Sequence, residues 1–157
     1  MDPRRRATAA EKGKKPVAQG RVFTLDKETA DTSAETIRGT LSVCDHKAHV
    51  LIDSGSTHSF ISEHFACRLN LKFEPLEYIL HVNTPMRESQ RTELICRGCE
   101  IKVGDRVMLA DLIMLNIHGF DVILGMDWLA TNRVSLDCYT KIVTFSLPEP
   151  YSVRLRY

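Results

Sequence analysis

Short runs of alternating apolar and polar residues make up most of this chain, which is the pattern of half-buried β-strands. The clearest run ends at Asp53. Its two faces are formed by Ala48, Val50 and Ile52 and by His49, Leu51 and Asp53. Leu41 and Val43 belong to a similar run upstream, and the polar residues 45–47 between the runs are typical of a turn. The pattern therefore predicts a hairpin that ends at Asp53.

The same reading predicts further strands and two short helices. Strands are expected at 22–25, 78–82, 94–103, 107–115, 120–125, 134–136 and 142–145. One helix is expected between Ser62, a good N-cap, and Asn70, and a second over 126–130. Pro75 is expected in a loop and Gly104 in a two-residue hairpin turn. About eight or nine strands with two helices predict a mostly-β, barrel-like domain.

Asp53 is the strongest candidate for chemistry. The apolar residues before it predict a buried strand end, and the residues after it, Ser54-Gly55-Ser56-Thr57, predict a tight turn. A carboxylate is rarely buried without a partner or a task. Glycine permits a close turn beside the carboxylate, and the hydroxyls can hold it by hydrogen bonds. The pattern indicates a functional carboxylate at a rigid strand end.

Other kinds of site are less well supported. No nearby histidine has a typical metal-ligand spacing with Asp53, so we expect neither a metal nor a cofactor. The Gly-x-Ser-x-Gly elbow of serine hydrolases is absent. A cysteine–histidine hydrolase stays open, because its partners would be distant in sequence. Cys96-Arg97-Gly98-Cys99 has strand-like flanks and no second ligand pair, which favours ordinary strand cysteines over a zinc or redox site.

Composition sets the limits of the domain. The chain has 157 residues, 43% of them hydrophobic, and a formal net charge of +1, which argues against a domain dedicated to nucleic acid. Basic residues concentrate in 1–20, which we expect to be a disordered linker with at most a weak RNA contact. The domain is expected over 21–148, and a C-terminal tail over 149–157.

The expected location follows from two absences in the sequence. No apolar run approaches the roughly 20 residues of a membrane span. The basic N-terminus has no apolar core of the kind that a signal peptide needs. We therefore expect an intracellular, cytoplasmic protein without membrane contact, whose five cysteines are reduced.

A carboxylate beside Ser-Gly at a strand end is typical of the aspartic dyad, in which two Asp side chains share one proton. This chain has a single Asp-Ser-Gly and is too short for two such lobes. The second carboxylate would therefore come from an identical chain across a two-fold axis.

Two motifs then give the chain a resemblance to the retropepsin-like aspartic proteases, in particular to those in plant Ty3/Gypsy-type retrotransposon Gag-Pol polyproteins. They are Val50–Ile61, VLIDSGSTHSFI, and Phe120–Leu129, FDVILGMDWL. The resemblance covers roughly residues 21–148. It implies a retropepsin-like acid-protease barrel with one active-site half per chain.

The resemblance also implies roles for individual residues. Asp53 would be the catalytic aspartate, in a loop with Ser54, Gly55 and Ser56, of which Ser54 would hydrogen-bond across a dimer. A flap around 82–90 would close over substrate. Its contact residues would be Val82, Asn83, Thr84, Pro85, Met86 and Arg87. The strand packed under the loop would be Ile123, Leu124 and Gly125. Asp127 is expected to be structural.

The resemblance implies an aspartic endopeptidase that processes a retrotransposon polyprotein as a homodimer, in the context of a virus-like particle. The expected flap contains no glycine between 82 and 90, unlike the glycine-rich flaps of well-studied retropepsins. This difference keeps an alternative open, in which the chain is an inactive dimerisation or peptide-binding module from a decayed or domesticated transposon.

Overall fold

The computed structural model describes residues 15–22, 36–84, 88–146 and 149–155. Alternating burial along the strands matches the period of the sequence. The strands are β1 (Val17–Arg21), β2 (Thr36–Val43), β3 (His46–Asp53), β4 (Phe60–Ser62), β5 (Glu74–Asn83), β6 (Ser89–Val103), β7 (Arg106–Leu115), β8 (Val122–Leu124), β9 (Val134–Asp137), β10 (Ile142–Phe145) and β11 (Tyr151–Arg154). The helices are α1 (Glu63–Leu69) and α2 (Met126–Thr131). The mostly-β class predicted from the sequence is confirmed.

Eight of these strands form one sheet that closes on itself. Its order is β1-β5-β6-β2-β3-β8-β4-β7, and an additional pairing of β6 with β7 closes a ring from β6 to β7. The long strand β6 makes this possible, because it pairs with β5 near its start and with β2 near its end. Strands β1 and β5 therefore lie outside the ring, as an arm on β6. A second, three-stranded sheet has the order β11-β10-β9.

The first helix has ends that the sequence explains. The Ser62 hydroxyl accepts a hydrogen bond from the Phe65 amide at 3.1 Å, which is an N-cap. Asn70 ends α1 in the left-handed conformation with φ 50°. The prediction of this helix between Ser62 and Asn70 is confirmed. The second helix, α2, follows β8 directly after Gly125.

The apolar core has two parts, and β3 separates them. Val50 and Ile52 point into the larger part, between the ring, the two helices and the second sheet. Leu51 points into the smaller part, with Leu80 and Val82 of β5. Asp53 is two residues after Leu51, so its side chain lies on the same face of β3, the face towards β5.

The structure differs from the expected strands at several points. The first strand is Val17–Arg21 rather than 22–25, of which residues 23–25 lie outside the described residues. Pro75 lies inside β5 rather than in a loop, at a shift of register between Pro75 and Leu80. An irregular position tolerates proline because it needs no amide donor. Eleven strands lie in the described ranges, more than expected.

Two strands lie at or beyond the expected domain boundaries. Most of β1 precedes residue 21, and β11 occupies much of the expected tail, where it pairs with β10 from Phe145↔Tyr151 to Ile142↔Arg154. The division into linker, domain and tail stays a prediction, because residues 1–14 lie outside the described part. Among the residues that the structure describes, no helix is long and apolar enough to cross a membrane.

Candidate active site

The Asp53 carboxylate lies in a tight turn at the end of β3 and is only 1% exposed. The Gly55 amide donates to Oδ1 at 2.8 Å, and the Ser56 hydroxyl donates to Oδ2 at 2.9 Å. The Ser56 amide also donates to the Asp53 carbonyl at 3.2 Å, which closes the turn. Hydrogen bonds to both oxygens fix the rotation of the carboxylate. The structure thus brings together Asp53, Gly55 and Ser56 of the expected site.

The expected supporting strand lies directly beside β3. Leu51 is in register with Ile123, and Ile52 with Leu124, in a parallel pairing. The Met126 amide, just after this strand, donates to the Ser56 carbonyl at 2.7 Å. The end of β8 is therefore bonded to the turn that carries the carboxylate.

Gly125 is the point of closest approach between the two segments. A Cβ atom built on it would lie 2.2 Å from the His58 carbonyl oxygen and 2.7 Å from the Ser56 carbonyl oxygen. Both oxygens belong to the backbone and cannot rotate away. Only glycine fits at this position, for the reason of space rather than of a positive φ.

Ser59 and Asp127 form a second link between the two motifs, which the sequence reading missed. The Ser59 hydroxyl donates to Asp127 Oδ1 at 2.6 Å, and its amide donates to Oδ2 at 3.2 Å. The Gly125 amide donates in turn to the Ser59 hydroxyl at 3.0 Å. Asp127 also accepts from the Trp128 amide at 2.7 Å. These bonds give Asp127 a structural role. Both residues lie within the two motifs, but nothing in the local pattern of either one indicates that they meet.

Ser54 lies on the other side of the turn, beside a groove. It is partly exposed and lines a cavity of about 430 Å³ between α2 and β9. The remaining lining residues are mainly apolar: Met126, Leu129, Ala130, Arg133, Val134, Leu136 and Cys138. The Met126 side chain, at the edge of this groove, is 44% exposed. The turn therefore opens onto an apolar surface next to the carboxylate.

The expected flap is a hairpin between β5 and β6. Val82 is in register with Gln90 and Asn83 with Ser89. The Thr84 amide and hydroxyl both donate to the Glu88 carbonyl, at 3.1 and 2.8 Å, and close the base of the hairpin. The structure thus places Val82, Asn83 and Thr84 at this base. The expected contact residues Pro85, Met86 and Arg87 lie outside the described residues.

The cysteine pair at 96 and 99 lies on either side of a bulge in β6, where Gly98 has φ 67°. The two sulfur atoms are 3.2 Å apart and both residues are buried. Burial, followed by the neighbouring Cys96 thiol, raises the pKa of the Cys99 thiol far above its ordinary value. Among the described residues, no group of three or more His, Cys, Asp and Glu side chains is arranged to hold a metal.

The site thus consists of a turn that buries a doubly hydrogen-bonded aspartate against an Ile-Leu-Gly segment. The family model described as "Retroviral aspartyl protease" matches residues 16–149. The chain belongs to this family. Its fold is retropepsin-like, which confirms the predicted barrel. The family indicates an aspartic peptidase, that is, a hydrolase.

Two solved structures show the same fold of retroviral aspartyl proteases. The retroviral protease-like domain of Ddi1 from Leishmania major is 10% identical, with a TM-score of 0.54, over 75% of this chain and 94% of that one. EIAV protease, complexed with the inhibitor HBY-793, is 18% identical, with a TM-score of 0.50, over 64% of this chain and 90% of that one. Among curated proteins, the comparison found no match.

Proposed function

We propose that this chain is an aspartic endopeptidase that works as a homodimer, with Asp53 of each copy forming the catalytic dyad. The observation that carries the proposal is the Asp53 carboxylate, which is buried and held on both oxygens in a retropepsin-like fold. The chain contains one Asp-Ser-Gly. A dyad of that kind therefore needs a second copy.

The chemistry that such a dyad supplies is a shared proton. Two carboxylates in contact cannot both be ionised, so one is charged and one is protonated. The charged one takes a proton from water as the water attacks the peptide carbonyl, and the protonated one donates to the carbonyl oxygen. The bonds from Gly55 and Ser56 would hold each carboxylate in the orientation that this exchange requires.

The groove beside Ser54 supports a second copy at this place. Its apolar lining lies next to the turn, and the exposed Met126 side chain would be covered by a partner. Two copies related by a two-fold axis near Ser54 would bring their two turns together. Ser54 is then the residue that we expect to hydrogen-bond across the dimer.

We further propose that the substrate is a polyprotein of a plant Ty3/Gypsy-type retrotransposon, cleaved at apolar sites within a Gag-Pol context. The two sequence motifs support this origin. Residues 1–20 would add at most a weak RNA contact. The alternative, an inactive dimerisation or peptide-binding module, is supported by the expected flap, which has no glycine.

The decisive experiment measures cleavage of a peptide library at acidic pH by the parent chain, by Asp53→Asn and by Asp105→Asn. Asp105 lies exposed in the turn between β6 and β7, so it is a matched control for the same chemical change. We expect Asp53→Asn to abolish cleavage and a pepstatin-like inhibitor to block it, while Asp105→Asn stays active. Cleavage that survives in Asp53→Asn would refute the proposal. A folded parent dimer without cleavage would favour the inactive module.

Mixing tests the shared dyad directly. If each active unit needs two copies of Asp53, an equal mixture of parent and Asp53→Asn chains retains about one quarter of the parent activity, because only that share of dimers has both carboxylates. A linear fall to about one half would instead indicate that each chain acts alone. Sedimentation at the same concentrations checks that the dimer is populated.

A further inference from the structure

Strand β1 contacts both the active-site turn and the base of the flap hairpin, the two parts of the proposed site that would enclose a bound substrate. It runs parallel to β5, in register from Val17↔Ile79 to Arg21↔Asn83. The Val22 amide extends this contact by donating to the Asn83 carbonyl at 3.0 Å. The end of β1 is therefore attached to the base of the flap hairpin.

The same end of β1 is attached to the active-site turn. The Arg21 amide donates to the Thr57 hydroxyl at 3.0 Å, and the Thr57 amide donates to the Arg21 carbonyl at 3.2 Å. Thr57 directly follows Ser56, whose hydroxyl holds Asp53. The path from carboxylate to flap base thus runs through Thr57, Arg21 and Asn83.

The Thr57 hydroxyl has a second contact, with His58 Nδ1 at 2.8 Å. A hydroxyl that accepts from the Arg21 amide still has its own proton to donate, so a neutral His58 can accept it at Nδ1. The negative charge of Asp127 favours the protonated form of this imidazole and so raises its pKa, whereas burial lowers it more strongly. The Phe60 ring lies beside the imidazole, with 6.3 Å between the ring centroids. The Thr57 hydroxyl therefore accepts a hydrogen bond from Arg21 and can donate one to His58.

The space around this contact is narrow. A Cβ atom on Gly20 would lie 3.1 Å from His58 Nδ1 and 3.4 Å from the Thr57 hydroxyl oxygen. Gly20 is buried and is in register with Val82 of β5. The glycine lets β1 approach the turn and the flap strand together.

We infer that Thr57 is a positioning residue that couples the base of the flap to the active-site turn through β1. This inference rests on the proposed function, because a flap matters only if substrate is bound beneath it. Loss of the Thr57 hydroxyl removes the acceptor for the Arg21 amide, and the end of β1 then loses that hydrogen bond to the turn. Asp53 keeps its own bonds to Gly55 and Ser56. The consequence is a looser flap base with an intact carboxylate.

The test compares Thr57→Val, which keeps the shape but loses the hydroxyl, with Thr57→Ser, which keeps the hydroxyl. Thr144→Val is the control, because the Thr144 hydroxyl makes a hydrogen bond to Ser152 in the second sheet, which pairs with neither β1 nor β5. Amide hydrogen exchange is measured on peptides that cover 17–22 and 80–84. Michaelis parameters are measured on a cleaved peptide.

We expect Thr57→Val to speed amide exchange in both segments by about five- to tenfold, the factor that follows from losing one hydrogen bond. KM should rise by a similar factor while kcat changes less than about twofold, since the dyad is untouched. Thr57→Ser should restore both readouts, and Thr144→Val should move neither. Unchanged exchange in Thr57→Val, or equal effects of Thr57→Val and Thr57→Ser, would overturn the inference.

Exchange and turnover separate two kinds of failure. If the parent chain does not cleave, the proposed function fails, but the exchange data still decide whether Thr57 couples the segments. If Thr57→Val does not fold, Gly20→Ala tests the same coupling, because its methyl group would lie 3.1 Å from His58 Nδ1 and so crowd the contact between His58 and Thr57. Unchanged exchange in folded Gly20→Ala would then count against the coupling.

Discussion

Gly125→Ala should strongly destabilise this protein, because the added methyl group would overlap backbone atoms of the active-site turn. The added methyl carbon would lie 2.2 Å from the His58 carbonyl oxygen and 2.7 Å from the Ser56 carbonyl oxygen. Real Cβ contacts are essentially never under 3.0 Å, so the end of β8 must move away from the turn. That movement stretches the bond from the Met126 amide to the Ser56 carbonyl, now 2.7 Å.

The magnitude follows from two contributions. Forcing an extra methyl group into a packed site costs about 1–3 kcal/mol of the free energy of unfolding. The two stretched bonds, at Ser56 and from the Gly125 amide to the Ser59 hydroxyl, each contribute about 1 kcal/mol. The sum is about 3–5 kcal/mol, a large part of the roughly 5–15 kcal/mol that stabilise a typical domain.

Urea unfolding at a fixed protein concentration measures this loss. Trp128 is the only tryptophan and is buried in α2, next to the substituted position, so its fluorescence reports the local change. Circular dichroism of the strands reports the global one. With a slope of about 1–3 kcal/mol per molar urea, the midpoint should fall by more than 1 M.

Gly98→Ala is the matched control for this prediction. No atom lies within 4 Å of a Cβ built on Gly98, but its φ of 67° strains any other residue by about 1–2 kcal/mol. Gly98→Ala therefore measures backbone strain without overlap. If Gly125→Ala loses no more stability than Gly98→Ala, the argument from close approach is wrong.

Three further predictions concern single side chains. Ser59→Ala should lower the free energy of unfolding by about 2–3 kcal/mol in urea titrations, because the Asp127 carboxylate loses the hydrogen bond from the buried Ser59 hydroxyl. A change below about 0.5 kcal/mol would contradict this. Cys67, which is exposed, should react with a maleimide at pH 8 in the native protein, whereas Cys99 should react only after unfolding, because burial raises the pKa of its thiol and excludes the reagent; mass spectrometry of peptides decides this. Burial lowers the pKa of His58 below its ordinary value of 6.5, against the opposing charge of Asp127. Below about pH 6.5 the unfolded chain therefore binds more protons than the folded one, so the free energy of unfolding decreases as the pH falls through this range. His58→Gln should flatten this part of the stability–pH curve, and an unchanged slope would contradict the assigned role of His58.

Local patterns were enough to predict those parts of the site that lie on one stretch of chain. The alternation before Asp53 gave the strand, its faces and its end, and Ser62 with Asn70 gave the limits of α1, because capping depends on neighbouring residues. The strand predicted over 120–125, which the structure has as Val122–Leu124, and the hairpin turn at Gly104 follow in the same way.

Long-range contacts could not be predicted in the same way. Ser59 and Asp127 are far apart in sequence, and nothing in the local pattern of either residue indicates that they meet. The strand at 17–21 was missed because a short edge strand containing a glycine has a weak local pattern, and its position is set by pairing with β5. The local pattern predicts a loop at Pro75, because proline usually interrupts a strand. The register shift that accommodates Pro75 within β5 depends on pairing with β6, which the local pattern does not contain.

These misses share a physical cause that bears on the proposed function. The carboxylate and its two hydrogen bonds are formed within four consecutive residues, so the sequence alone could indicate an acid site. Whether the site binds substrate depends on how the turn, β1 and the flap are held together, and those bonds join residues 36 and more positions apart. A chain could therefore keep an intact Asp-Ser-Gly turn and still lose activity through changes at Gly20, Thr57 or Gly125. Stability and exchange measurements at these positions, beside cleavage by the same variants, would separate a lost site from a loosened one.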